Sequence, residues 1–222
     1  MSALLQIDSV LKSYAGKQLL TDIYLHCETG EIVGILGRNG SGKSTLLRIL
    51  FGLERAELKH IRIDGKVYDA PYKTPGLIVY LPQQPYLPQN LTTKKISTLV
   101  IDKQNIPLFW DDEMLANIKD QKVSELSGGE LRYFEIKLLL HSNAKFVLLD
   151  EPFSGLSPLI NDAVKNLMRN TKNKGIIVTD HDYRNVLDVA SRTLLLFDGG
   201  LKPANGPEDL ATWGYIPEST IL

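Results

Sequence analysis

A short glycine-rich stretch carries the residue types that bind phosphate. It follows the apolar run 32–36 and leads into the helix-like run 45–50, an order that predicts a strand, a tight loop and a helix. Glycines in such a loop let backbone amides turn towards an anion, and the start of the helix adds the positive end of its dipole. Lys43 would reach the outer phosphates, and the Ser44 hydroxyl would bind Mg²⁺. The sequence therefore predicts a nucleotide site, with the candidate residues Gly37, Arg38, Asn39, Gly40, Ser41, Gly42, Lys43, Ser44 and Thr45.

A pair of adjacent carboxylates follows a stretch that predicts a central strand. Residues 146–149 are all apolar, which is typical of a strand buried on both faces of a parallel sheet, and Asp150 and Glu151 come directly after them. His181 stands just beyond a similar run, 175–179. In open α/β sheets, ligands bind beyond the carboxyl ends of the strands. We therefore expect these three side chains near the phosphate-binding loop, although His181 taken alone also fits a surface or capping role.

Two further features could complete a nucleotide site. Ser127 is expected to cap a helix, and the glycines after it would leave the amides of the first turn uncovered for an anion. Tyr14 ends a predicted strand, where its ring could stack on an adenine base. Each feature also has a simpler interpretation, a plain capping turn for the first and ordinary packing for the second. The candidate residues here are Tyr14, Ser127, Gly128, Gly129 and Glu130.

The composition is that of an ordinary globular chain, and it narrows the classes of partner. The 222 residues are 43% hydrophobic and 23% charged, with a formal net charge of −1. Such a balance offers no basic field for nucleic acid, so no nucleic-acid partner is expected. No apolar run approaches the roughly 20 residues that span a bilayer. The single cysteine, Cys27, suits a reducing compartment and is expected to be a small buried residue in a strand.

The order of strand-like segments predicts an α/β fold. Alternating residues at 4–14 and 19–26, and a hairpin over 61–68 that turns at Asp64-Gly65, indicate an antiparallel β subdomain. The continuously apolar runs indicate a mostly parallel central sheet.

An inserted unit is expected between the strand that ends near residue 82 and the strand that begins near 145. The helix-like segments within it lie near 94–101, 111–119 and 127–141. We therefore expect one domain over residues 1–222, in which 83–142 form a helical subdomain and 1–82 and 143–222 form the nucleotide-binding core with the β subdomain.

With these motifs in this order, the chain resembles the ATP-binding subunits of ABC transporters, from about residue 4 to residue 210. The resemblance implies a P-loop NTPase core of the ABC ATPase type. The matching motifs are the aromatic A-loop (Tyr14), the Walker A loop (37–44), the Q-loop glutamine (Gln83), a signature similar to LSGGQ (126–130), Walker B with the catalytic glutamate (146–151), the D-loop (154–157) and the switch histidine (His181).

The resemblance implies ATP and Mg²⁺ as the ligands of the site. Asp150 and Ser44 would hold Mg²⁺, and Glu151 would act as the general base that polarises the attacking water. Lys43 and His181 would stabilise the charge that grows on the γ-phosphate. The implied catalytic residues are Glu151, His181, Lys43 and Gln83, and the implied metal ligands are Ser44, Gln83 and Asp150, with Gln84 as a less favoured substitute for Gln83.

The resemblance also implies an assembly. Ser127 and its glycines would close over ATP bound to a second ATPase subunit, in a homodimer or a heterodimer. This dimer would be cytoplasmic and would drive a separate integral membrane permease from the inner face of the cell membrane. Two alternatives remain open, a soluble ABC ATPase that acts on nucleic acid or ribosomes and a regulatory subunit that hydrolyses little ATP.

Four departures from the family pattern bear on these alternatives. Ser157 stands where the D-loop usually carries aspartate, which puts coupling between subunits in doubt. Glu130 replaces the usual glutamine, and Tyr133 stands where an arginine often follows. The stretch 83–127 is short for the family, so the surface that contacts a membrane partner could be reduced. Residues 108–110 fit either that surface or the core of the helical subdomain.

Overall fold

Ten strands and seven α-helices make up the computed structural model, which describes residues 2–220. The strands are Leu4–Tyr14 (β1), Lys17–Glu28 (β2), Ile32–Leu36 (β3), Leu58–Ile63 (β4), Lys66–Val67 (β5), Ile78–Leu81 (β6), Phe146–Asp150 (β7), Gly175–Thr179 (β8), Arg192–Phe197 (β9) and Gly200–Pro203 (β10). The helices are Lys43–Phe51 (α1), Thr93–Val100 (α2), Ile106–Trp110 (α3), Gly128–His141 (α4), Pro158–Asn170 (α5), Tyr183–Val189 (α6) and Pro207–Thr212 (α7).

The central sheet has the strand order β10-β9-β3-β8-β7-β6, and all of its strands run parallel except β10. Every residue of β3, β7 and β8 is buried, as their continuous apolar runs predict. A second, antiparallel sheet has the order β2-β1-β4-β5. The predicted α/β fold, with a mostly parallel central sheet and an antiparallel β unit, is therefore confirmed.

Two hydrophobic clusters cover the two faces of the central sheet. One packs α1 and the antiparallel sheet against one face, and it includes Cys27, which is fully buried as predicted. The other packs α4, α5 and α6 against the opposite face and continues into the segment around α2 and α3. Phe109 is fully buried in this second cluster, whereas the neighbouring Leu108 is 65% exposed. The 108–110 segment thus contributes mainly to the core.

Two local predictions were wrong. The expected helix over 111–119 does not form, and α3 ends at Trp110 before a 3₁₀ turn over Glu113–Leu115. The cause is Asp112, whose side chain accepts from the backbone N–H of Met114 and also pairs with Lys137 of α4. The strand β10 was missed because only a turn was expected after β9. Helices α2 and α4 lie within two residues of their predicted ranges.

The helices α2, α3 and α4 all lie between β6 and β7 in the chain. None of the helices within residues 2–220 is both long enough and apolar enough to cross a membrane.

Candidate functional site

The phosphate-binding loop connects β3 to α1 and depends on its glycines. Gly42 precedes the first residue of α1 with φ +108°, a conformation that strains any residue with a side chain. Gly37 is restricted by space, because a Cβ there would lie 2.6 Å from Ser41 Oγ. The loop can therefore bring its backbone close to a ligand at the start of a helix, which favours an anion.

Lys43 turns its ammonium group back into this loop. Its Nζ donates to the carbonyl oxygens of Gly37, at 2.6 Å, and Arg38, at 3.3 Å, and the side chain is buried. Burial lowers the pKa of Lys43, and the negative charges of Glu151 and Asp150 act in the opposite direction. The loop thus contains a buried cation that faces two carboxylates.

Asp150 brings three segments of the chain together. Its Oδ1 accepts from Ser44 Oγ at 3.0 Å and from Thr179 Oγ1 at 2.9 Å, and its Oδ2 accepts from Tyr80 Oη at 2.9 Å. Gln83 Nε2 donates to Ser44 Oγ at 3.2 Å. Burial and the charge of Asp150 raise the pKa of Tyr80, so its hydroxyl keeps its proton.

The donor chemistry around Asp150 suits Mg²⁺, which prefers carboxylate, hydroxyl and phosphate oxygens. No three His, Cys, Asp or Glu side chains within the described part of the chain form a group that could hold a metal ion. A metal at this position would therefore depend on Ser44 and Asp150 together with oxygens of a bound phosphate. The residues present fit that arrangement because the hydroxyl and the carboxylate are already in contact.

Glu151 and His181 line a cavity together with Lys43 and Ser44 of the phosphate-binding loop. Glu151 has φ +49°, a strained backbone conformation for a residue that is not glycine, and its Oε2 lies 3.7 Å from His181 Nδ1. The cavity measures about 490 Å³, which is within the range of small-molecule sites. The predicted residues that line it are Asn39, Gly40, Gly42, Lys43, Ser44, Thr45, Gln83, Glu151 and His181.

Comparison with known proteins identifies this arrangement. Residues 20–154, more than half of the chain, match the family model described as ABC transporter. The chain belongs to the ABC transporter family. A lipopolysaccharide export system ATP-binding protein, LptB, from Acidithiobacillus ferridurans is 32% identical over 95% of this chain and 93% of its own length. The LptB of Haemophilus influenzae is also 32% identical, over 94% of this chain and 92% of its own.

Solved structures agree on the fold. A structure described as the ATP-binding subunit of an ABC transporter has a TM-score of 0.82 at 24% identity, over 95% of this chain and 93% of that one. The chain is thus an ATP-binding subunit of an ABC transporter, an ATPase that powers transport through membrane partners. This function was predicted, and it favours transport over the soluble ABC ATPase that the sequence left open.

The signature residues of this ABC subunit lie outside the phosphate-loop cavity. Ser127 Oγ accepts from the backbone N–H of Glu130 at 3.3 Å, and Glu130 Oε2 accepts from the Ser127 N–H at 2.8 Å and hydroxyl at 2.6 Å. The two residues therefore form a complete capping box at the start of α4. Gly128, with Gln83 and Glu151, lines a neighbouring cavity of about 330 Å³, and Gly129 lies beside it in the first turn of α4.

Three other candidates also lie away from the phosphate-loop cavity. The Tyr14 ring is 45% exposed, and Lys12 Nζ lies 4.5 Å from its centroid. Arg38 donates to the carbonyl of Gly214 at 2.8 Å, and with Ser41 it lines a small separate cavity. The candidate metal ligands of the ABC subunit therefore contact one another, and Lys43 lines the same cavity as Ser44 and Gln83. The base-stacking and signature candidates lie apart from that cavity.

Arg132 is a buried residue next to the site that was not predicted from the sequence. It donates to the backbone carbonyls of Pro82 at 2.7 Å, Asp150 at 2.8 Å and Glu151 at 3.1 Å. Its charge partner is Glu135, 3.6 Å away, and burial raises the pKa of that glutamate. The sequence did contain a signal for this pair. Arg132 and Glu135 stand three residues apart in a largely apolar helix, and charged groups are rarely buried without a partner.

Three hydroxyl groups near the site were also not predicted. Tyr80 and Thr179 are each close in sequence to a predicted site residue, and they lie at or next to the carboxyl ends of β6 and β8. Tyr215, after α7, donates to the carbonyl of His181 at 3.2 Å. Nothing in its sequence surroundings indicates that contact.

Proposed function

We propose that this subunit hydrolyses ATP with Mg²⁺ in the phosphate-loop cavity and that Glu151 is the general base. The observation that carries the proposal is the contact of Ser44 with both Asp150 and Gln83, next to Lys43 and Glu151. Mg²⁺ would be held by Ser44 and Asp150 and would supply positive charge to the β- and γ-phosphate oxygens.

The other side chains of the proposed site have separate roles in binding and hydrolysis. Lys43 neutralises charge on the outer phosphates, because its buried ammonium group retains its electrostatic strength where water is excluded. Glu151 accepts the proton of the attacking water, and the His181 ring, 3.7 Å from that carboxylate, stabilises charge on the γ-phosphoryl group. Gln83 donates to Ser44 Oγ and would therefore respond to a metal bound there. Tyr14 would stack on the adenine.

We further propose that two copies of this chain form a homodimer in which Ser127 and the amides of its glycines contact the γ-phosphate held by the partner subunit. The support is the start of α4, where Gly128 and Gly129 form the first turn and the positive end of the helix dipole favours an anion. Ser157 caps α5 by accepting from the Ile160 N–H at 3.4 Å. Because serine and aspartate both cap helices well, the replacement of aspartate preserves this local geometry.

We also propose how the chain is divided into subdomains and where the subunit acts. Residues 83–142 act as the helical subdomain, and 1–82 with 143–222 act as the nucleotide-binding core. The dimer is cytoplasmic and binds a separate integral membrane permease. The LptB relatives are named for lipopolysaccharide export, which suggests an amphiphilic, lipid-linked saccharide as the cargo class for this subunit.

Light scattering with the Glu151→Gln protein tests the hydrolytic and dimeric parts together. We expect a dimer with ATP and Mg²⁺, a monomer with ADP, and loss of the dimer when Ser127→Glu is added. A monomer under every nucleotide condition would contradict the dimer, and unchanged ATP turnover in Glu151→Gln would contradict the assignment of the base.

Purification from native membranes tests the partner. We expect a protein with several membrane spans to co-purify with the tagged chain. Recovery of the chain without such a protein would contradict a permease partner. If depletion of the chain causes no accumulation of a lipid-linked saccharide in the inner membrane, the cargo proposal is wrong.

A further inference from the structure

The carboxylate of Asp150 is held on both of its oxygens. Ser44 and Thr179 donate to Oδ1, whereas Tyr80 donates to Oδ2 at 2.9 Å. Oδ1 therefore lies beside the phosphate-binding loop, and Oδ2 is turned towards β6. Because a carboxylate can rotate about its Cβ–Cγ bond, the donor on Oδ2 helps to select the oxygen that faces Ser44.

The Tyr80 ring is fixed by elements that also build the site. Its centroid lies 5.5 Å from that of Phe51, the last residue of α1, and the Phe51 ring lies 5.2 Å from Tyr72. Tyr80 belongs to β6, which pairs in parallel with β7, the strand that ends at Asp150. The helix that begins at the phosphate loop and the strand that carries the carboxylate therefore both position the Tyr80 hydroxyl.

We propose that Tyr80 is a positioning residue for Mg²⁺: its hydroxyl orients Asp150 so that Oδ1 and Ser44 Oγ converge on the metal. This inference rests on the proposed function, because it concerns the same metal site. Tyr80 contacts Asp150, the proposed metal ligand, and is not among the residues that line the phosphate-loop cavity. Removal of a hydrogen-bond partner from a metal ligand typically weakens metal affinity about 10- to 100-fold, so loss of this one hydroxyl is expected to cost about 10-fold.

The test uses full-length chains that carry Glu151→Gln, so that ATP is not consumed. Mn²⁺ replaces Mg²⁺ as the probe, and electron paramagnetic resonance measures its free concentration with protein in excess over ATP. Tyr80→Phe removes the hydroxyl and keeps the ring. Tyr72→Phe is the matched control, because Tyr72 stacks on the same Phe51 ring and is 40% exposed. Asp150→Asn is the reference for loss of the ligand.

We expect Tyr80→Phe to raise the Kd for Mn²⁺ about 10-fold, with Tyr72→Phe within twofold of the parent. Affinity for ATP in EDTA should stay unchanged in both variants, since the hydroxyl does not contact the nucleotide. In the chain with Glu151 intact, the Mg²⁺ concentration for half-maximal hydrolysis should rise while kcat at saturating Mg²⁺ changes little. A Mn²⁺ Kd within twofold of the parent would overturn the proposal.

Two further results separate the possible failures. If the parent with Tyr80 intact binds Mn²⁺ no better than Asp150→Asn does, the proposed metal site itself is wrong. If Tyr80→Phe lowers the melting temperature without changing the Mn²⁺ Kd, the hydroxyl is only structural and the inference is wrong. Phe51→Leu keeps the hydroxyl but loosens the ring, so it should shift the Mn²⁺ Kd in the same direction, and an unchanged Kd there also counts against the inference.

Discussion

Two buried lysines make the same kind of contact in different parts of the molecule. Lys43 is 5% exposed and donates to the carbonyls of Gly37 and Arg38 in the phosphate-binding loop. Lys174 is 4% exposed and donates to the carbonyls of Ser142 and Ala144, which follow the C-terminal end of α4. Each lysine lines a cavity, and the cavity beside Lys174 is the larger, at about 730 Å³ against about 490 Å³.

The surroundings of the two ammonium groups differ, and this difference is why the proposed site includes Lys43. Lys43 begins a helix and faces Asp150 and Glu151, whose charges oppose the effect of burial on its pKa. Lys174 lies at a helix end, where a cation complements the negative end of the dipole. Burial lowers the pKa of Lys174 to about 8, and no carboxylate within residues 2–220 offsets this. We therefore base the proposed active site on the helix start with carboxylates, and not on the burial of a lysine or the size of a cavity.

Replacement of Lys43 should produce the largest effect on the nucleotide. Lys43→Met removes a charged contact worth about 3 kcal/mol, which corresponds to about 100-fold weaker ATP binding. Isothermal titration with ATP and Mg²⁺ measures this change. Lys174→Met is the matched control and should bind ATP within twofold of wild type. Equal loss in both variants would remove the distinction between the two lysines.

Replacement of Lys174 should instead lower stability. Lys174→Met leaves the carbonyls of Ser142 and Ala144 buried without their donor, and the expected cost is about 1–3 kcal/mol of the free energy of unfolding. Urea denaturation at neutral pH measures it. Unchanged stability together with weaker ATP binding would show that the larger cavity is functional.

The pH dependence of stability should distinguish Lys174 further. The folded state, with its pKa near 8, loses the Lys174 proton at lower pH than the unfolded state, whose pKa is near 10.5. The unfolded state therefore binds more protons between these values, and this group's contribution to stability rises with pH across that window. Urea denaturation at pH 7.5 and pH 9.5 should show a larger difference between wild type and Lys174→Met at the higher pH. A constant difference would contradict the lowered pKa.

The smallest expected effect concerns Tyr14, at the base end of the proposed site. Because its ring is 45% exposed, stacking on adenine should contribute only about 1 kcal/mol, near the lower end of values for base stacking. Tyr14→Ala should weaken ATP binding about fivefold, by titration, and leave inorganic triphosphate binding unchanged. If both ligands weaken equally, Tyr14 supports the loop and does not stack on the base.

The sequence predicted the motif residues of the proposed site better than it predicted the partners of those residues. The phosphate loop, Asp150 and Glu151 were predicted because each is a short motif next to a strand whose burial is visible in its composition. The partners of those residues come from distant segments. Tyr80, Thr179 and Arg132 reach Asp150 or its backbone only through the pairing of strands and the packing of α4, which no local pattern records.

The segment between β6 and β7, which contains α2, α3 and α4, was predicted less well than the sheets. The expected helix over 111–119 failed because Asp112 pairs with Lys137 and Tyr133 of α4, contacts that depend on tertiary packing. The short β10 was missed because it forms by pairing with β9, and its own composition does not predict a strand. Local patterns therefore predicted the motifs of the proposed site but not the residues that hold them in place.

Phosphate release tests the central claim most directly. Wild type and Glu151→Gln, from matched preparations with equal ATP affinity, are compared with ATP and Mg²⁺. We expect hydrolysis by wild type and a rate about 10²- to 10⁴-fold lower in the variant, because a positioned general base contributes on that order. Equal rates in the two proteins, or no hydrolysis by wild type, would contradict the account.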